Sequence, residues 1–578
     1  MYLGVEQSIS NRRWVGPSLE VERQALTLNQ QAVLPLPLCH VMARLGVTPQ
    51  EADDFLNPTL RATMSDPKTM KDCTLAAEII LGAVQARKRI AIFADYDVDG
   101  GTSAALLFDF FAYFSVAPTL YVPDRIEEGY GPNPKAMQAL AAAHDLIICV
   151  DCGTLAHDAL EAATAADVVV LDHHLGGETL PIAKAVVNPN RQDETGDLAH
   201  LCAAAVVFMV LIEAARLMRE AGQTPPNLIN SLDLVALGTV ADVAPLVGVN
   251  RAFVRQGLKI MGQRKRLGLN ALSDVARLDT APSAYHLGYV LGPRINAGGR
   301  IGKADLGARL LCCTNPHEAA AMADKLEELN TERRSVEASV RLAAMEQAEV
   351  RGLTHPLAWA AQDGWHPGVV GIVASRLKEK TNRPSVVIGF DGDIGKGSGR
   401  SVNGIDLGAA IQELARDGYI EKGGGHKMAV GLSLTRAQLE PAMEKLGQLL
   451  EAQGAGELGP ADLRVDGTLM PGGATLQLIE QLDQAGPFGA GASAPRFAFP
   501  DCTIAFAKPV GEAHLKVTLS DGFGTKLDAI CFGAFDGPLG AALSNAQGSK
   551  MHIVGRLEIN TWGGRSRPQL RIEDASPS

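Results

Sequence analysis

Residues 89–103 read RIAIFADYDVDGGTS, an apolar run that leads directly into three aspartates. The run predicts a buried parallel strand, followed by a turn and a helix that begins near Thr102. Because alternate residues of an extended chain point the same way, we expect Asp95, Asp97 and Asp99 to converge at the strand's carboxyl end. Open α/β sheets bind their ligands at this edge. An acidic turn facing solvent is the plainer alternative.

Further apolar runs end in the same kinds of residue. DLIICV (145–150) precedes Asp151, DVVVL (167–171) precedes Asp172, His173 and His174, AVV (185–187) follows as a short strand, and SLDLVALGTVADVAPL (231–246) contains Asp242. The alternation of such runs with amphipathic stretches predicts a doubly wound α/β domain with a parallel sheet. Since neighbouring parallel strands end at one edge, we expect the acidic and imidazole side chains to collect in one crevice.

So many like charges would repel one another strongly unless a cation neutralised them. An oxygen-rich set with one or two histidines favours Mg²⁺ or Mn²⁺ over Zn²⁺, and Mn²⁺ accepts imidazole more readily than Mg²⁺. Two such ions can activate a water molecule and stabilise the leaving oxygen of a phosphodiester. The pattern therefore predicts phosphoryl hydrolysis.

Composition restricts the class of protein. The chain has 578 residues, enough for several domains, with 46% hydrophobic and 20% charged residues, which is typical of a globular protein. Its formal charge of −12 argues against a surface that binds nucleic acid everywhere, although not against a local groove. We expect no membrane span, because no apolar run approaches ~18 residues, and with no visible secretory signal we expect a cytoplasmic protein. The Cys149–Cys152 pair ends an apolar run, which favours small buried residues over a redox pair.

The patterns divide the chain into five segments. We predict an N-terminal helical lead-in (1–70), the α/β domain (71–314), a long connecting helix (315–352) with no Gly or Pro in 317–351, a smaller α/β domain (353–455) and an antiparallel β domain that closes as a small barrel (456–578). The smaller α/β domain contains the glycine-rich GKGSGRS (395–401) and GGGH (423–426), which we expect to form loops that approach a phosphate closely. Arg400 can donate two hydrogen bonds to phosphate oxygens, and His426 can donate another.

Eight motifs together resemble a known family. DYDVDGGTS (95–103), DCG (151–153), DHH (172–174) and GTVADV (238–243) resemble, in order, the four motifs of the DHH phosphoesterases, while GPRINAGGRIG (292–302), WHPGVVGIVASRL (365–377), SGRS (398–401) and GGGHKMAVG (423–431) resemble the DHHA1 half of its RecJ branch. The resemblance covers about residues 70 to 578 and makes the C-terminal domain similar to an OB-fold. It implies a metal-dependent 5′→3′ exonuclease that degrades single-stranded DNA to 5′-mononucleotides in repair and recombination.

The resemblance also implies roles for particular residues. The ligands of two divalent cations, Mn²⁺ or Mg²⁺, would be Asp95, Asp97, Asp99, Asp151, His173 and Asp242. His174 would contact the scissile phosphate or the leaving group, and Asp172 would orient its neighbours. Many relatives carry a histidine where this chain has Phe93, which leaves that ligand position to Asp95.

The substrate would be held over a wider surface. The resemblance puts Arg125, Tyr130, Ser398 and Arg400 near the 5′ phosphate, and we expect Arg294 and Arg300 to line the same channel. Residues 550–571 carry a local charge of +4, and Trp562 with Arg565 and Arg567 is typical of a stacking platform beside a phosphate track. Ordinary surface arginines and a solvated basic loop are the alternatives. The implied partners are single-stranded DNA with a 5′ end, a single-strand-binding protein and a RecQ-type helicase.

Two other functions remain to be weighed. A DHH phosphodiesterase acting on short oligoribonucleotides or cyclic dinucleotides would share the metal motifs, but it would not need the additional C-terminal domain. A nucleic-acid-binding adaptor with a decayed site is disfavoured, because each of the four motifs keeps its ligand-type residues.

Overall fold

The structure is a computed structural model that describes residues 1–124, 128–129, 131–353, 355–457 and 459–578, and of Trp562 the backbone only. The strands within these ranges are β1 (Arg12–Val15), β2 (Ile90–Ala94), β3 (Thr119–Tyr121), β4 (Leu146–Val150), β5 (Asp167–Leu171), β6 (Ala185–Val187), β7 (Ala358–Asp363), β8 (Ser385–Asp391), β9 (Ile394–Arg400), β10 (Lys422–His426), β11 (Ala429–Thr435), β12 (Ala461–Arg464), β13 (Gly467–Thr468), β14 (Phe497–Val510), β15 (His514–Ser520), β16 (Lys526–Cys531), β17 (Lys550–Trp562) and β18 (Arg565–Pro577).

The helices are α1 (Leu19–Ala32), α2 (Leu36–Arg44), α3 (Ala52–Leu56), α4 (Leu60–Thr63), α5 (Cys73–Gln85), α6 (Val98–Tyr113), α7 (Pro134–Ala143), α8 (His157–Glu161), α9 (Ala203–Glu220), α10 (Leu232–Ala241), α11 (Gly248–Met261), α12 (Leu267–Val275), α13 (Gly292–Ile301), α14 (Leu306–Leu311), α15 (Pro316–Arg351), α16 (Pro367–Thr381), α17 (Leu407–Arg416), α18 (Leu439–Ala452), α19 (Leu476–Gln484) and α20 (Pro538–Asn545). A π-helical segment, His286–Leu291, runs into α13. No helix of the described ranges is long and apolar enough to cross a bilayer.

The chain divides into two compact units. Met1–Glu327 together with Asp462–Ser578 form the first, and Glu328–Ala461 form the second. The central sheet of the first unit has the strand order β3-β2-β4-β5-β6, and all of its pairings are parallel. Every residue of β2 and β4 is buried, because helices cover both faces. The predicted parallel sheet is confirmed; β3, a half-buried strand of three residues, carried too short an apolar signal to be predicted.

Helix α6 begins earlier than the sequence pattern indicated. It starts at Val98 rather than near Thr102, because Asp97 caps it: the Asp97 Oδ1 accepts hydrogen bonds from the backbone N–H groups of Asp99 (2.9 Å) and Gly100 (3.2 Å). Asp99 therefore lies in the first helical turn. The expectation that the aspartates point the same way as alternate residues of extended chain is wrong, although they still converge.

The second unit contains a sheet with the order β10-β11-β9-β8-β7, in which only β7 and β8 pair in parallel. Both glycine-rich stretches lie in strands, so the expectation of two glycine loops is wrong. A Cβ atom on Gly395, Gly397 or Gly399 would lie 2.7–2.8 Å from a side-chain atom of Phe390, Ile388 or Val430, respectively. These glycines are explained by close packing on the buried face of β9.

The C-terminal strands form the predicted barrel. Their order is β13-β14-β15-β16-β18-β17, and pairing of β14 with β17 closes it. The N-terminal residues are not a separate lead-in, because α1 and α2 share one hydrophobic core with the barrel; Leu28 and Met42 pack in the same cluster as Phe497 and Phe499. Strand β1 pairs with β12, and the Trp14 indole N–H donates to Asp574 at 2.9 Å.

Candidate metal centre

The carboxyl ends of β2, β4 and β5 lie side by side. Ala94 is in register with Val150, and Val150 with Leu171, so the residues that follow these positions emerge at one level of the sheet. The backbone N–H of Asp151 donates to the Leu171 carbonyl at 3.0 Å, which continues the ladder by one residue. The first acidic residue of each motif therefore stands at the same sheet edge.

The structure brings all six predicted ligand residues together. Their potential ligand atoms form overlapping groups, in each of which the atoms lie within 4.8 Å of one another: Asp95, Asp97 and Asp151; Asp99, His173 and Asp242; and Asp151, His173 and His174. The groups share Asp151 and His173, whose Oδ1 and Nε2 atoms are 3.3 Å apart. Two adjacent sites with common members have the layout that a pair of cations requires.

His173 lies at the middle of this cluster. Its Nε2 is also 3.8 Å from Oδ2 of Asp99, and its Nδ1 is 3.8 Å from Oδ2 of Asp242. Asp242 follows the last residue of α10, so the helix end carries it to the sheet edge. Each of these contacts is longer than a good hydrogen bond, which leaves space for a shared cation.

The electrostatics of the cluster favour a cation. Burial raises the pKa of Asp99, and it raises the pKa of Asp151 well above the usual range, with the neighbouring carboxylates adding to the rise. Burial and the charges of Asp99 and Asp97 raise the pKa of Asp242 to about 8. The buried Oδ1 of Asp151 accepts no hydrogen bond from the described residues. A divalent cation bound there would satisfy this oxygen and neutralise the crowded carboxylates, so the residues fit a metal site.

The backbone at Asp151 is held in an uncommon conformation. Its φ angle is +60°, in the left-handed region that few residues other than glycine adopt. Such backbone conformations cluster at functional sites, where the surrounding structure imposes them. The sequence offered no signal for this turn beyond the Gly153 that follows it.

Asp99 also connects α6 to α9 through hydrogen bonds. The sequence patterns did not predict this structural role. Its Oδ2 and Oδ1 accept hydrogen bonds from the backbone N–H groups of Ala203 (2.6 Å) and Ala204 (2.9 Å), at the start of α9. Gly238 of GTVADV makes room for this contact: a Cβ there would lie 2.8 Å from Oδ1 of Asp99. This glycine was the available signal for a close approach of α10 to the site.

Asp172 forms hydrogen bonds with both the backbone and the side chain of His174. The His174 Nδ1–H donates to Oδ1 of Asp172 at 2.8 Å, and the backbone N–H of Thr154 donates to Oδ2. Burial by itself would raise the pKa of Asp172, but these hydrogen bonds outweigh it and hold that pKa well below the usual range. The hydrogen bond to Asp172 raises the pKa of His174 to about 9. The partly exposed imidazole of His174 is thus held as a cation at neutral pH.

Two asparagines form hydrogen bonds with the backbone of the two histidines, and the sequence patterns predicted neither asparagine. The Asn188 side-chain amide donates to the carbonyl of His174 (2.8 Å), and the Asn190 side-chain amide donates to the carbonyl of His173 (2.6 Å). Both belong to NPN (188–190), directly after β6, so their place after another strand of the same sheet was the available signal.

The GPRINAGGRIG segment contacts the first metal motif. The side-chain oxygen of Asn296 accepts from the backbone N–H of Val98 at 3.1 Å. Arg294 does not face open solvent: its Nη1 donates to the Val290 carbonyl, and its guanidinium forms an ion pair with Glu327. Arg300 is half-buried in the same helix. The role of these arginines in a substrate channel stays a prediction.

The predicted phosphate-binding residues of the second unit share one strand face. Ser398 and Arg400 alternate on β9, opposite the glycine face, and Gly371 of α16 lies over both. The Arg400 Nη1 donates to the carbonyl of Gly399. His426 is exposed at the end of β10.

The remaining predicted residues divide into two groups. Arg565 and Arg567 are exposed beside the turn between β17 and β18. Arg125, Tyr130 and the side chain of Trp562 lie outside the described residues.

Comparison with known proteins is consistent with this geometry. Family models match at residues 89–239 (DHH family, N-terminal domain), 352–452 (DHHA1 domain) and 465–574 (RecJ OB domain). The single-stranded-DNA-specific exonuclease RecJ of Dickeya dadantii is 37% identical over 94% of this chain and 96% of its own length, and the Escherichia coli RecJ is 36% identical over 87% and 90%.

Solved structures of RecJ proteins match the fold of this chain. The crystal structure of RecJ in complex with Mn²⁺ from Thermus thermophilus matches with a TM-score of 0.81 and 26% identity, covering 97% of this chain and 79% of that one. A crystal structure of exonuclease RecJ bound to manganese is 32% identical, with a TM-score of 0.57 over 66% of this chain and 95% of that one. On its motifs, its metal centre and these matches, the chain belongs to the RecJ family.

Proposed function

We propose that this protein is a metal-dependent exonuclease that hydrolyses single-stranded DNA in the 5′→3′ direction to 5′-mononucleotides, in DNA repair and recombination. The observation that carries the proposal is the cluster of six ligand-type side chains at one sheet edge, with His174 positioned beside it. The names of the relatives, single-stranded-DNA-specific exonucleases, support the substrate.

We assign two divalent cations, Mn²⁺ or Mg²⁺, to the cluster. Asp95, Asp97 and Asp151 would hold one, and Asp99, His173 and Asp242 would hold the other, with Asp151 and His173 close enough to be shared. When bound, the pair of ions supplies an activated water molecule and stabilises the leaving oxygen of the phosphodiester. Oxygen ligands with imidazole suit these metals.

His174 contributes a proton or a hydrogen bond. Because Asp172 fixes its Nδ1–H and keeps the ring charged, the Nε2–H is the atom left to face the scissile phosphate or the departing oxygen. Thr154 and Asn188 hold the Asp172–His174 pair in place, so the ring needs no rearrangement during the reaction.

Residues away from the cluster would bind the strand. We propose that Ser398, Arg400 and His426 bind a phosphate through the polar face of β9 and the end of β10. We propose further that Arg565 and Arg567, with Trp562, hold bases and phosphates of the longer strand on the barrel.

Digestion of end-labelled DNA tests the activity. Wild-type protein should degrade single-stranded DNA from the 5′ end in Mn²⁺ or Mg²⁺ and leave duplex DNA intact. Asp151→Asn should abolish hydrolysis, since asparagine tolerates the left-handed backbone but removes the ligand charge. The matched control is Asp145→Asn, at the opposite end of β4, where Asp145 pairs with Arg89 at the surface.

The outcomes separate the alternatives. Degradation of short oligoribonucleotides or cyclic dinucleotides without degradation of long DNA strands would favour the phosphodiesterase function. Strand binding without hydrolysis in either metal would favour an adaptor, and equal activity of Asp151→Asn and wild type would overturn the site.

We also propose a cytoplasmic location and interaction with a single-strand-binding protein and a RecQ-type helicase, on the strength of family membership alone. Cell fractionation tests the location. Pull-down of the purified proteins, with and without DNA, tests the interactions; no retention of either partner would refute them.

A further inference from the structure

A groove of 950 Å³ lies beside the metal centre, within the first unit. Val243 and Ala244 line it at one end, directly after the metal-ligand candidate Asp242. At the other end it is lined by α19 and the segment after it, and by Arg556 of the barrel. The catalytic domain and the barrel are fixed together here, because Leu246 donates its backbone N–H to the Ala490 carbonyl at 2.8 Å. The groove therefore lies between the end of α10, where Asp242 follows, and the barrel.

Two tyrosines stand exposed in this groove. Tyr285 is 57% exposed and Tyr289 is 73% exposed, and their rings stack with centroids 5.3 Å apart and planes 22° apart. Both belong to the helical stretch that contains the π-helical segment His286–Leu291. π-Helical segments are rare in proteins, and those that occur often lie at functional sites. The exposed face of such a stacked aromatic pair can stack on a further flat group, such as a nucleic-acid base.

The segment that carries the tyrosines packs directly on the metal motifs. A Cβ on Gly288 would lie 3.3 Å from Cγ1 of Val240, and one on Gly292 would lie 3.5 Å from the Cβ of Ala241. Val240 and Ala241 immediately precede Asp242. The segment that carries the tyrosine pair is thus packed against the two residues that precede Asp242.

The charges of the groove favour bases over phosphates. Its described lining includes two cations, Arg255 and Arg556, and two anions, Glu480 and Asp483. Arg556 is further paired with Glu573 at 2.7 Å, and Arg255 donates to the Gln484 carbonyl. A surface with balanced charge is a poor phosphate track, but aromatic faces stack on any base.

We propose that Tyr285 and Tyr289 form a stacking platform for one base of the bound strand, at a fixed distance from the metal centre. The proposal rests on the proposed function, since it needs a single strand that leaves the cluster along the groove. The outer face of Tyr289 receives the base, and Tyr285 supports the ring from behind. The platform positions the strand without touching the reacting atoms.

Fluorescence of 2-aminopurine placed at successive positions from the 5′ end of an oligonucleotide tests the platform. The probe is measured with Asp151→Asn protein, which holds the strand without cutting it. Fluorescence should fall at one position near the 5′ end, and Tyr289→Ala should remove this quenching while Tyr289→Phe and Tyr289→Trp keep it. Tyr113→Ala is the matched control, because Tyr113 is also exposed but lies at the far end of α6.

Binding measurements distinguish base stacking from phosphate contact. Tyr289→Ala should weaken affinity by roughly 5- to 150-fold while the slope of affinity against salt concentration stays the same. Arg565→Ala should reduce that slope instead. Quenching that is unchanged in Tyr285→Ala and Tyr289→Ala, with wild-type hydrolysis intact, overturns the platform alone. Absence of hydrolysis by wild type overturns the proposed function.

Discussion

At the scale of single residues, Gly238 is a position where adding one methyl group should disturb the site. A Cβ there would lie 2.7 Å from Oγ1 of Thr102 and 2.8 Å from both Oδ1 of Asp99 and the Cβ of Ala204. Gly238→Ala should therefore push α10 from Asp99, lower stability by about 1–3 kcal/mol and reduce kcat. Thermal unfolding and hydrolysis assays measure both effects.

Gly82 provides the control for that substitution. It also lies within a helix, but a Cβ there would have no neighbour within 4 Å. Gly82→Ala should raise stability by roughly 0.5–1 kcal/mol and leave kcat unchanged. Equal effects of the two substitutions would mean that Gly238 has no special part in the site.

Asp172 should act on catalysis and not on metal binding. Asp172→Asn weakens a charge-assisted hydrogen bond to His174, which is worth about 1.5–3 kcal/mol, so kcat should fall roughly 10- to 150-fold. The rise in melting temperature on adding Mn²⁺ should persist, because Asp172 is outside the two groups assigned to the cations. Loss of the Mn²⁺ response would instead make Asp172 a ligand.

At the scale of elements, Asp97 has two tasks that substitution can separate. It caps α6 and it belongs to the candidate metal cluster. Asp97→Ser should keep the cap and the metal-free stability, whereas Asp97→Ala should lose about 0.5–2 kcal/mol. Both should lose much of the stabilisation by Mn²⁺, which thermal unfolding with and without the metal measures. If Asp97→Ser retained that stabilisation in full, Asp97 would be a cap only.

Sequence patterns predicted the elements whose signal is local. The runs before Asp95, Asp151 and Asp172 are buried strands, and residues 316–351 form the long helix, because continuous apolar runs and an unbroken helical composition each favour one structure. The glycine-rich stretches were mistaken for loops, since the sequence does not reveal that Phe390, Ile388 and Val430 pack against the glycine face of β9.

Sequence patterns indicated which candidate ligand residues come together, and did not indicate the contacts that they make. The six ligand candidates lie shortly after the apolar runs that form β2, β4, β5 and α10. A sequence pattern can indicate such positions. The hydrogen bonds of Asp99 to the start of α9, and of Asn188 and Asn190 to the histidine backbone, join residues up to about a hundred positions apart. Short-range patterns give only indirect signals of such contacts, namely Gly238 in α10 and the position of Asn188 and Asn190 after β6.

At the scale of the whole molecule, an ion pair joins helix α2 to the segment between β12 and β13. Nε of Arg44, in α2, lies 2.6 Å from Oδ1 of Asp466, and both side chains are nearly buried. Arg44→Met should remove the ion-pair partner of the buried Asp466, which keeps the hydrogen bond from the Arg496 backbone N–H, and lower stability by up to about 3–5 kcal/mol. The control is Arg13→Met, whose partner Asp462 is exposed and whose loss should change little. Equal melting temperatures of the two variants would show that the Arg44–Asp466 ion pair does not stabilise the molecule.

The shared core of the N-terminal helices and the barrel has a consequence for synthesis on the ribosome. Leu28 and Met42 leave the exit tunnel early, but Phe497 and Phe499, against which they pack, are made some 450 residues later. At ~5–20 residues per second, these apolar side chains wait roughly 20–90 s for their partners. The apolar side chains of α1 and α2 therefore stay without their packing partners until β14 has been made, which exposes them to aggregation during synthesis.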